Sequence, residues 1–390
     1  MRSEFDVAVI GGGLVGLSFV RALADSGLKL ALVEPRAPRH APLPDAPWDS
    51  RVYAVSPGSA AFLERCGAWQ RLPPERVTRV EAMRVYGDGA GAGLEFDAYD
   101  AGLRELAFIV EGDQLQQALW SGIGEQEART CCPVNWTALG SAGDRAVLQL
   151  DNGAEITARL VVGADGSESR VRAEAGIAAT PADYGQLGVV ANFSCEKPHH
   201  GVAFQWFMRE GVLALLPLPG NRVSMVWSIA QARGRELLAL AAQALAAEVE
   251  SASRGVVGAL RLVTPAAAFP LKLQRVTQFV KPRLALVGDA AHNVHPLAGQ
   301  GMNLGLRDAR VLAETLMARG AWRDCGDYAL LRRYERARKE DVLAMQLMTD
   351  GLQKLFMNDA VWVSRARNLG LKLADRLPLF KSFLVRHAIA

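Results

Sequence analysis

The 390-residue sequence is most informative first in what it has little of. Its five cysteines (Cys66, Cys131, Cys132, Cys195 and Cys325) are scattered, and no two stand as Cys-x-x-Cys. That excludes a disulfide framework and a cysteine-held zinc, and it fits a reducing compartment. Charge of one sign is nearly absent in the balance: 44 basic against 41 acidic residues leave +3, too little to make nucleic acid the expected partner. No apolar run approaches the roughly 18 residues of a membrane span. The richest stretch, 237–247, is alanine-heavy and interrupted by Gln243. No basic-then-apolar leader precedes the first strand-like run, so a cytoplasmic chain is expected. With half its residues hydrophobic and 22% charged, the composition is that of a globular protein of two or three domains.

What is present begins at residue 5. Residues 5–10 form a β-rich apolar run suited to a strand buried on both faces. Gly11-Gly12-Gly13-Leu14-Val15-Gly16 follows, then a helical pattern over 17–25, and a second strand over 28–33 that ends on Glu34. A dinucleotide pyrophosphate needs close backbone approach and a helix N-terminus facing it. Gly11 permits the tight turn, Gly13 removes a side chain that would block the phosphates, and Gly16 lets helix and strand pack closely. Glu34, eighteen residues beyond Gly16, can accept hydrogen bonds from ribose hydroxyls.

Later segments repeat this texture. A strand over 155–162 runs into Gly163-Ala164-Asp165-Gly166, and another over 283–287 into Gly288-Asp289-Ala290-Ala291-His292. Gly299-Gln300-Gly301-Met302-Asn303 then opens a helix with a core stripe at Met302, Leu306, Ala309, Ala313 and Leu316. A glycine-rich turn at a helix start offers free N–H groups to a reduced flavin's negatively charged ring. Between about 185 and 275 the pattern changes to short strands at 202–208, 212–216 and 222–229, divided by Pro217-Leu218-Pro219-Gly220-Asn221. A helix is expected over 236–248. Residues 35–50, with Pro35, Pro38, Pro42, Pro44 and Pro47, read as an irregular surface segment.

The clusters at Gly11–Gly16, Ala164-Asp165-Gly166 and Gly288-Asp289 together resemble the three fingerprints of the flavoprotein aromatic hydroxylases, the class of para-hydroxybenzoate hydroxylase. More narrowly, His295-Pro296-Leu297-Ala298-Gly299-Gln300-Gly301-Met302-Asn303-Leu304-Gly305 with Asp308 resembles the signature of the ubiquinone-biosynthesis hydroxylases. Asp49-Ser50-Arg51, Gln205-Trp206-Phe207 and Leu215-Leu216-Pro217-Leu218 support the match, which covers nearly the whole chain. The resemblance implies an α/β chain: a glutathione-reductase-type FAD-binding domain, an inserted antiparallel-sheet substrate domain and a helical C-terminus. The implied division is FAD domain 1–80, 111–180 and 276–340, substrate domain 81–110 and 181–275, and C-terminal helices 341–390.

The resemblance also assigns residues. Gly11, Gly13, Leu14, Val15, Gly16 and Glu34 would meet the adenosine diphosphate half of FAD. Arg51 would meet its phosphate and help reduced-nicotinamide binding. Asp165 and Gly166 would lie near the pyrophosphate, and Gly288 and Asp289 along the ribityl chain. Pro296 would lie against the flavin where oxygen reacts, and Gly299, Gln300, Gly301, Met302 and Asn303 would offer donors to its ring. Gly112 stands where the family often has an Asn or Gln touching FAD, and Gln114 is the expected substitute. The implied activity is hydroxylation of a prenylated phenol by dioxygen with NADPH or NADH as co-substrate. The partners are a small lipophilic phenol, dioxygen, and a ubiquinone-biosynthesis complex or the inner membrane face. Two other readings stand beside it: another flavin redox enzyme on this scaffold, such as a prenyl reductase or halogenase, and a non-catalytic flavoprotein of a biosynthetic assembly. A halogenase's Trp-x-Trp-x-Ile-Pro run is missing; Val226-Trp227-Ser228-Ile229 does not supply it.

The remaining polar features have plainer readings. His292 and His295 with Asp289 do not read as a metal set, nor His199-His200 as a base. Trp206 and Phe207 read as core before substrate platform, and Cys131-Cys132 as buried small residues. The last fifty residues carry Lys354, Arg365, Arg367, Lys372, Arg376, Lys381 and Arg386 against Asp341, Asp350, Asp359 and Asp375, a solvated face or a contact to an anionic surface.

Overall fold

The computed structural model describes residues 2–37, 46–87, 93–100, 102–124, 127–293, 300–320 and 322–356. Among them, the chain builds three sheets. The first starts from strand β1 (Arg2–Ile10), helix α1 (Leu14–Ala22) and strand β2 (Leu30–Val33). Val7, Ala8, Val9, Leu32 and Val33 are fully buried, as an apolar run covered on both faces must be. Helix α1 begins three residues earlier than its periodicity suggests, because Gly13 takes the N-cap.

Strands β3 (Val52–Val55), β4 (Thr78–Val80) and β7 (Ala107–Glu111) form a small antiparallel sheet in the order β3-β7-β4. Helices α2 (Pro57–Arg65) and α3 (Gly112–Trp120) follow two of its strands. Ser56 caps α2 through its hydroxyl and Pro57 opens it, both standard helix-start chemistry.

The first sheet is completed by β8 (Arg129–Cys131), β9 (Trp136–Ala142), β10 (Arg145–Leu150), β11 (Glu155–Gly163), β18 (Val280–Lys281) and β19 (Leu284–Leu286). Its order is β18-β19-β11-β1-β2-β8, with β10 beside β11 and β9 beside β10. The pairs β1–β11, β1–β2, β2–β8 and β11–β19 are parallel, so the glycine turns after β1, β11 and β19 emerge at one end. Short helix α4 (Arg170–Glu174) follows β11.

The second sheet takes β5 (Ala82–Tyr86) and β6 (Gly93–Asp97), then β12 (Ala179–Cys195), β13 (Val202–Met208), β14 (Gly211–Leu218), β15 (Arg222–Ala230), β16 (Leu260–Leu262) and β17 (Ala267–Val276). It is antiparallel except where β5 pairs parallel to β13, a junction between segments far apart in sequence. The helix expected over 236–248 is two helices, α5 (Gln231–Ala239) and α6 (Ala242–Ala252), with Leu240 and Ala241 extended between them. Neither glycine nor proline marks this break. Tertiary packing makes it: Leu237 of α5 and Leu245, Ala246 and Val249 of α6 all sink into the core under the sheet, and the bend lets both helices reach it.

That core fixes the sides of the second sheet. The lateral row Trp206–Leu213–Trp227–Val189 faces the helices and is buried. Trp206 stacks on Phe204 and Tyr86 and is core. The next row, Gln205–Ala214–Val226–Val190, faces away from the helices. On that side Ala203, Met83 and Leu216 pack against Val52, Ala54 and Ile109 of the small sheet.

Helix α7 (Gln300–Met317) buries Met302, Leu306, Ala309, Ala313 and Leu316, the expected stripe. Each large apolar side chain so covered contributes about 1.5–3 kcal/mol. Helix α8 (Tyr328–Phe356) closes the described chain. Residues 357–390 lie outside it, as do Pro38, Pro42, Pro44, His295, Pro296 and Gly299. No described helix is long and apolar enough to cross a membrane.

Candidate functional site

Three glycine turns meet at the carboxyl end of the parallel strands. Gly11 adopts φ +112°, and a Cβ there would lie 2.4 Å from the Ala164 carbonyl oxygen. A Cβ on Gly16 would lie 2.0 Å from the Gly11 oxygen and 3.1 Å from the Ala164 methyl. Both positions therefore admit only glycine, and together they bring the Asp165-Gly166 turn against the first turn. Over Gly13 there is open space: a Cβ would meet nothing within 4 Å. Val15, on the first turn of α1, touches the third cluster. A Cβ on Gly288 or Gly305 would come within 3.1 Å or 2.6 Å of its side chain. Gly288 itself takes φ +60°.

Polar groups line the junction. Glu34 accepts the Gly12 amide on Oε2 at 2.5 Å and the Arg36 amide on Oε1 at 3.0 Å. Asp165 accepts Val171 N–H on one oxygen at 3.1 Å, and its other oxygen, Oδ1, is buried without a partner. Gln114 Oε1 and Gln300 Oε1 are likewise buried and unpartnered. Buried polar atoms are nearly always satisfied, so orphans at three of the sequence-derived residues are notable. They fit a large polar ligand with donors of its own, and the open space over Gly13 fits its phosphates. The residues present thus suit FAD.

Asp289 is open to water yet crowded by protein, as on a cleft floor. Desolvation there raises its carboxyl pKa, with His292 and Arg51 pulling the other way and Asp308 adding to the rise. Arg51 therefore lies close enough to Asp289 for its charge to act. Its guanidinium sits 5.3 Å above the Tyr53 ring. Burial pushes the Tyr53 phenol up to about 12, opposed by Arg51 and reinforced by Asp289, so Tyr53 stays protonated at neutral pH. Asp49 holds this segment in place, accepting Arg51 N–H and Asp113 N–H. Glu111 accepts Asp49 N–H at 2.7 Å and is locked by Arg76 through two bonds of 2.7 and 2.8 Å. At Gly112 a Cβ would sit 3.0 Å from the Tyr53 ring, a tight contact.

Asn303 acts through its side chain. It accepts Ser56 N–H at 3.0 Å and donates to Ala54 O at 2.8 Å, pinning the first turn of α7 to β3. Neither this role, nor Tyr53, nor the Arg76–Glu111 pair was visible in the sequence. The Asp49-Ser50-Arg51 motif and the Gly112–Gln114 stretch were the signals pointing at this corner.

Other expectations resolve simply. His199 closes a turn: Nδ1 accepts Gly201 N–H while Nε2 faces the Leu218 and Gly220 carbonyls. His292 Nε2 bonds Asp308, while His295 lies outside the described residues. Phe207 packs with Val85, Leu94 and Val212 on the side away from the helices. Cys131 and Cys132 are half-buried rather than buried, because Cys131 ends the edge strand β8 and the pair follows it out of the sheet.

A parallel sheet with three glycine turns converging at one end, joined to a second sheet through a small third one, defines a dinucleotide-binding flavoprotein. A family model described as "FAD binding domain" matches residues 4–349. The chain is 39% identical over 386 residues to the ubiquinone hydroxylase UbiL of Rhodospirillum rubrum, spanning 98% of this chain and 89% of that one. It is 36% identical over 389 residues to the 3-demethoxyubiquinol 3-hydroxylase of Escherichia coli, spanning 98% of each. Among solved structures, p-nitrophenol 4-monooxygenase PnpA of Pseudomonas putida superposes with a TM-score of 0.79 at 17% identity, over 100% of this chain and 99% of that one, a likeness of fold. The chain belongs to the FAD binding domain family, in the branch of the ubiquinone hydroxylases, and is an FAD-dependent monooxygenase.

Proposed function

We propose that the chain hydroxylates the ring of a lipophilic, prenylated phenol on the way to ubiquinone, with dioxygen as oxygen donor and NADH or NADPH as reductant. One oxygen atom enters the ring, the other leaves as water, and the nicotinamide supplies the two electrons. The carrying observation is that the first glycine turn touches both later ones, Gly11 and Gly16 meeting Ala164 and Val15 meeting Gly288 and Gly305, which brings together clusters nearly 300 residues apart. Bound FAD supplies the electron transfer and oxygen activation.

The chain's own residues bind, orient and keep water out. The amides after Gly11 and the start of α1 would face the pyrophosphate, with Glu34 on the ribose. Gln114, Asp165 and Asp289 would take the donors of the central part. Gln300, Gly301, Met302 and Asn303, at the start of α7, would present its positive dipole end to the flavin ring. Arg51, beside Asp289, would meet phosphate or the incoming nicotinamide. We assign the substrate to the side of the second sheet that carries Gln205. Ala214 and Val226 are half-buried there and Val190 is buried, an apolar patch beside the Gln205 amide, which could orient a phenol. Asn192, also on that side, donates to Asp49 O at 2.8 Å and ties the patch to the Arg51 segment. Such a patch keeps the reacting oxygen away from water. The basic residues from 354 onward we read as a contact to the anionic membrane face or a partner complex, near where the substrate partitions.

The test is oxygen-18 incorporation. With FAD, reduced nicotinamide, labelled dioxygen and a polyprenylphenol, the product is expected to gain one labelled oxygen. Peroxide alone, with every such phenol, would refute the reading.

A further inference from the structure

Asp308 has no solvent exposure, and its two oxygens serve opposite directions. Oδ2 accepts the Gly288 amide at 2.9 Å and lies 2.6 Å from His292 Nε2. Oδ1 accepts Arg338 Nε at 2.7 Å. Arg338 belongs to α8, is 2% exposed, and also donates to Asp341 at 2.6 Å and to Leu304 O at 3.4 Å. Burial alone would raise the Asp308 carboxyl pKa, but His292 and Arg338 outweigh it and hold it below the usual range.

A buried ion pair is weak evidence for stability, because well-packed apolar residues often serve as well. What it supplies is direction. Here the direction ends on the amide of Gly288, the positive-φ residue just before Asp289. Helix α8 reaches the same stretch of chain elsewhere. Tyr334 donates to Leu286 O at 2.8 Å, Glu335 accepts Phe279 N–H at 2.7 Å, and Gln346 donates to Gln274 O at 3.1 Å and Asn293 O at 3.3 Å. The strand end, the turn and its exit are thus all held by one helix.

We propose that Arg338 is a positioning residue for the flavin: through Asp308 it fixes the Gly288–Asp289 turn and His292, so that α8 sets how tightly this half of the cofactor is held. The inference rests on the reading of Asp289 as a flavin contact made above. It makes cofactor retention a property of α8 as much as of the N-terminal glycine turn.

The experiment titrates FAD-stripped protein with FAD, following flavin fluorescence. It compares the wild type, Arg338→Met, Arg338→Lys, Asp289→Ala and the double variant Asp289→Ala/Arg338→Met. Thermal unfolding of each FAD-free chain is recorded alongside. Arg338→Met is expected to weaken FAD tenfold or more, and Arg338→Lys by less. In the Asp289→Ala background Arg338→Met is expected to add little, because both act on one contact. Wild-type affinity in Arg338→Met, or losses that simply add, would overturn the inference. Unchanged affinity in Asp289→Ala would instead sink the flavin assignment of Asp289. Should Arg338→Met not fold, His292→Asn decides by the same readout, with unchanged affinity counting against the proposal.

Discussion

Gly13→Ala separates the site from the fold. A methyl group on Gly11 or Gly16 would collide with backbone at 2.4 or 2.0 Å and damage the structure itself. On Gly13 it would enter open space, at φ −76° and ψ 179°, a conformation alanine accepts. Alanine is a poorer N-cap than glycine by a few tenths of a kcal/mol to about 1 kcal/mol. Restricting the unfolded chain returns about 0.4–1 kcal/mol. The two nearly cancel, so the FAD-free variant should unfold within ~3 °C of the wild type. FAD is another matter, because the methyl occupies the space read as the path of the pyrophosphate. Losing close approach at one phosphate should weaken binding about tenfold to a hundredfold, ~1.4–2.8 kcal/mol. Fluorescence titration of stripped protein and calorimetric unfolding of the same sample measure the two quantities. A variant that binds FAD normally would show that the space over Gly13 is not the cofactor's path. One that is strongly destabilised without FAD would show that the space is not free.

Two further outcomes follow from the same geometry. Asp308 has a depressed pKa in the folded chain, so its contribution to stability is complete above the ordinary carboxyl value of about 4 and is lost as pH falls through the lower folded value. Urea unfolding between pH 2.5 and 7 should therefore show an acid limb that Asp308→Asn flattens; identical limbs would contradict the buried pairing. On the second sheet, Gln205→Leu should raise KM for the phenol or uncouple nicotinamide oxidation from hydroxylation with little change in unfolding. Trp206→Leu should instead cost about 2–4 kcal/mol of stability, since its ring lies under the helices. The reverse pattern would place the substrate on the wrong side of the sheet.

How far the sequence could be read depended on whether a requirement was local. Gly11 and Gly16 were legible because backbone contacts of 2.4 and 2.0 Å leave no choice of residue, and because strand, turn and helix follow one another along the chain. The core stripe of α7 was legible from its period. The break between α5 and α6 was not, because an alanine-rich run carries no stop signal and packing alone sets it. Arg51 came only through family likeness, and the structure gives it neighbours in Tyr53 and Asp289. The Asn303 side-chain amide was not legible at all, since it spans to Ser56, 247 residues away. The Arg338–Asp308–His292 group was invisible for the same reason, since no local pattern tells a surface arginine of a long helix from one folded inward.

The order of the first sheet also governs when the protein can become functional. Strand β19, which delivers Gly288 and Asp289, docks on β11, and α7 and α8 come later still. A nascent chain emerging from the ribosome can finish its N-terminal glycine turn early. If the Gly288–Asp289 turn holds the flavin as proposed, the floor for the isoalloxazine is missing until some three quarters of the message has been translated. On the proposed assignment, prosthetic-group capture is a late event of biogenesis, and a product prematurely ended before α7 would leave the ribosome colourless even though its first nucleotide-binding unit was intact.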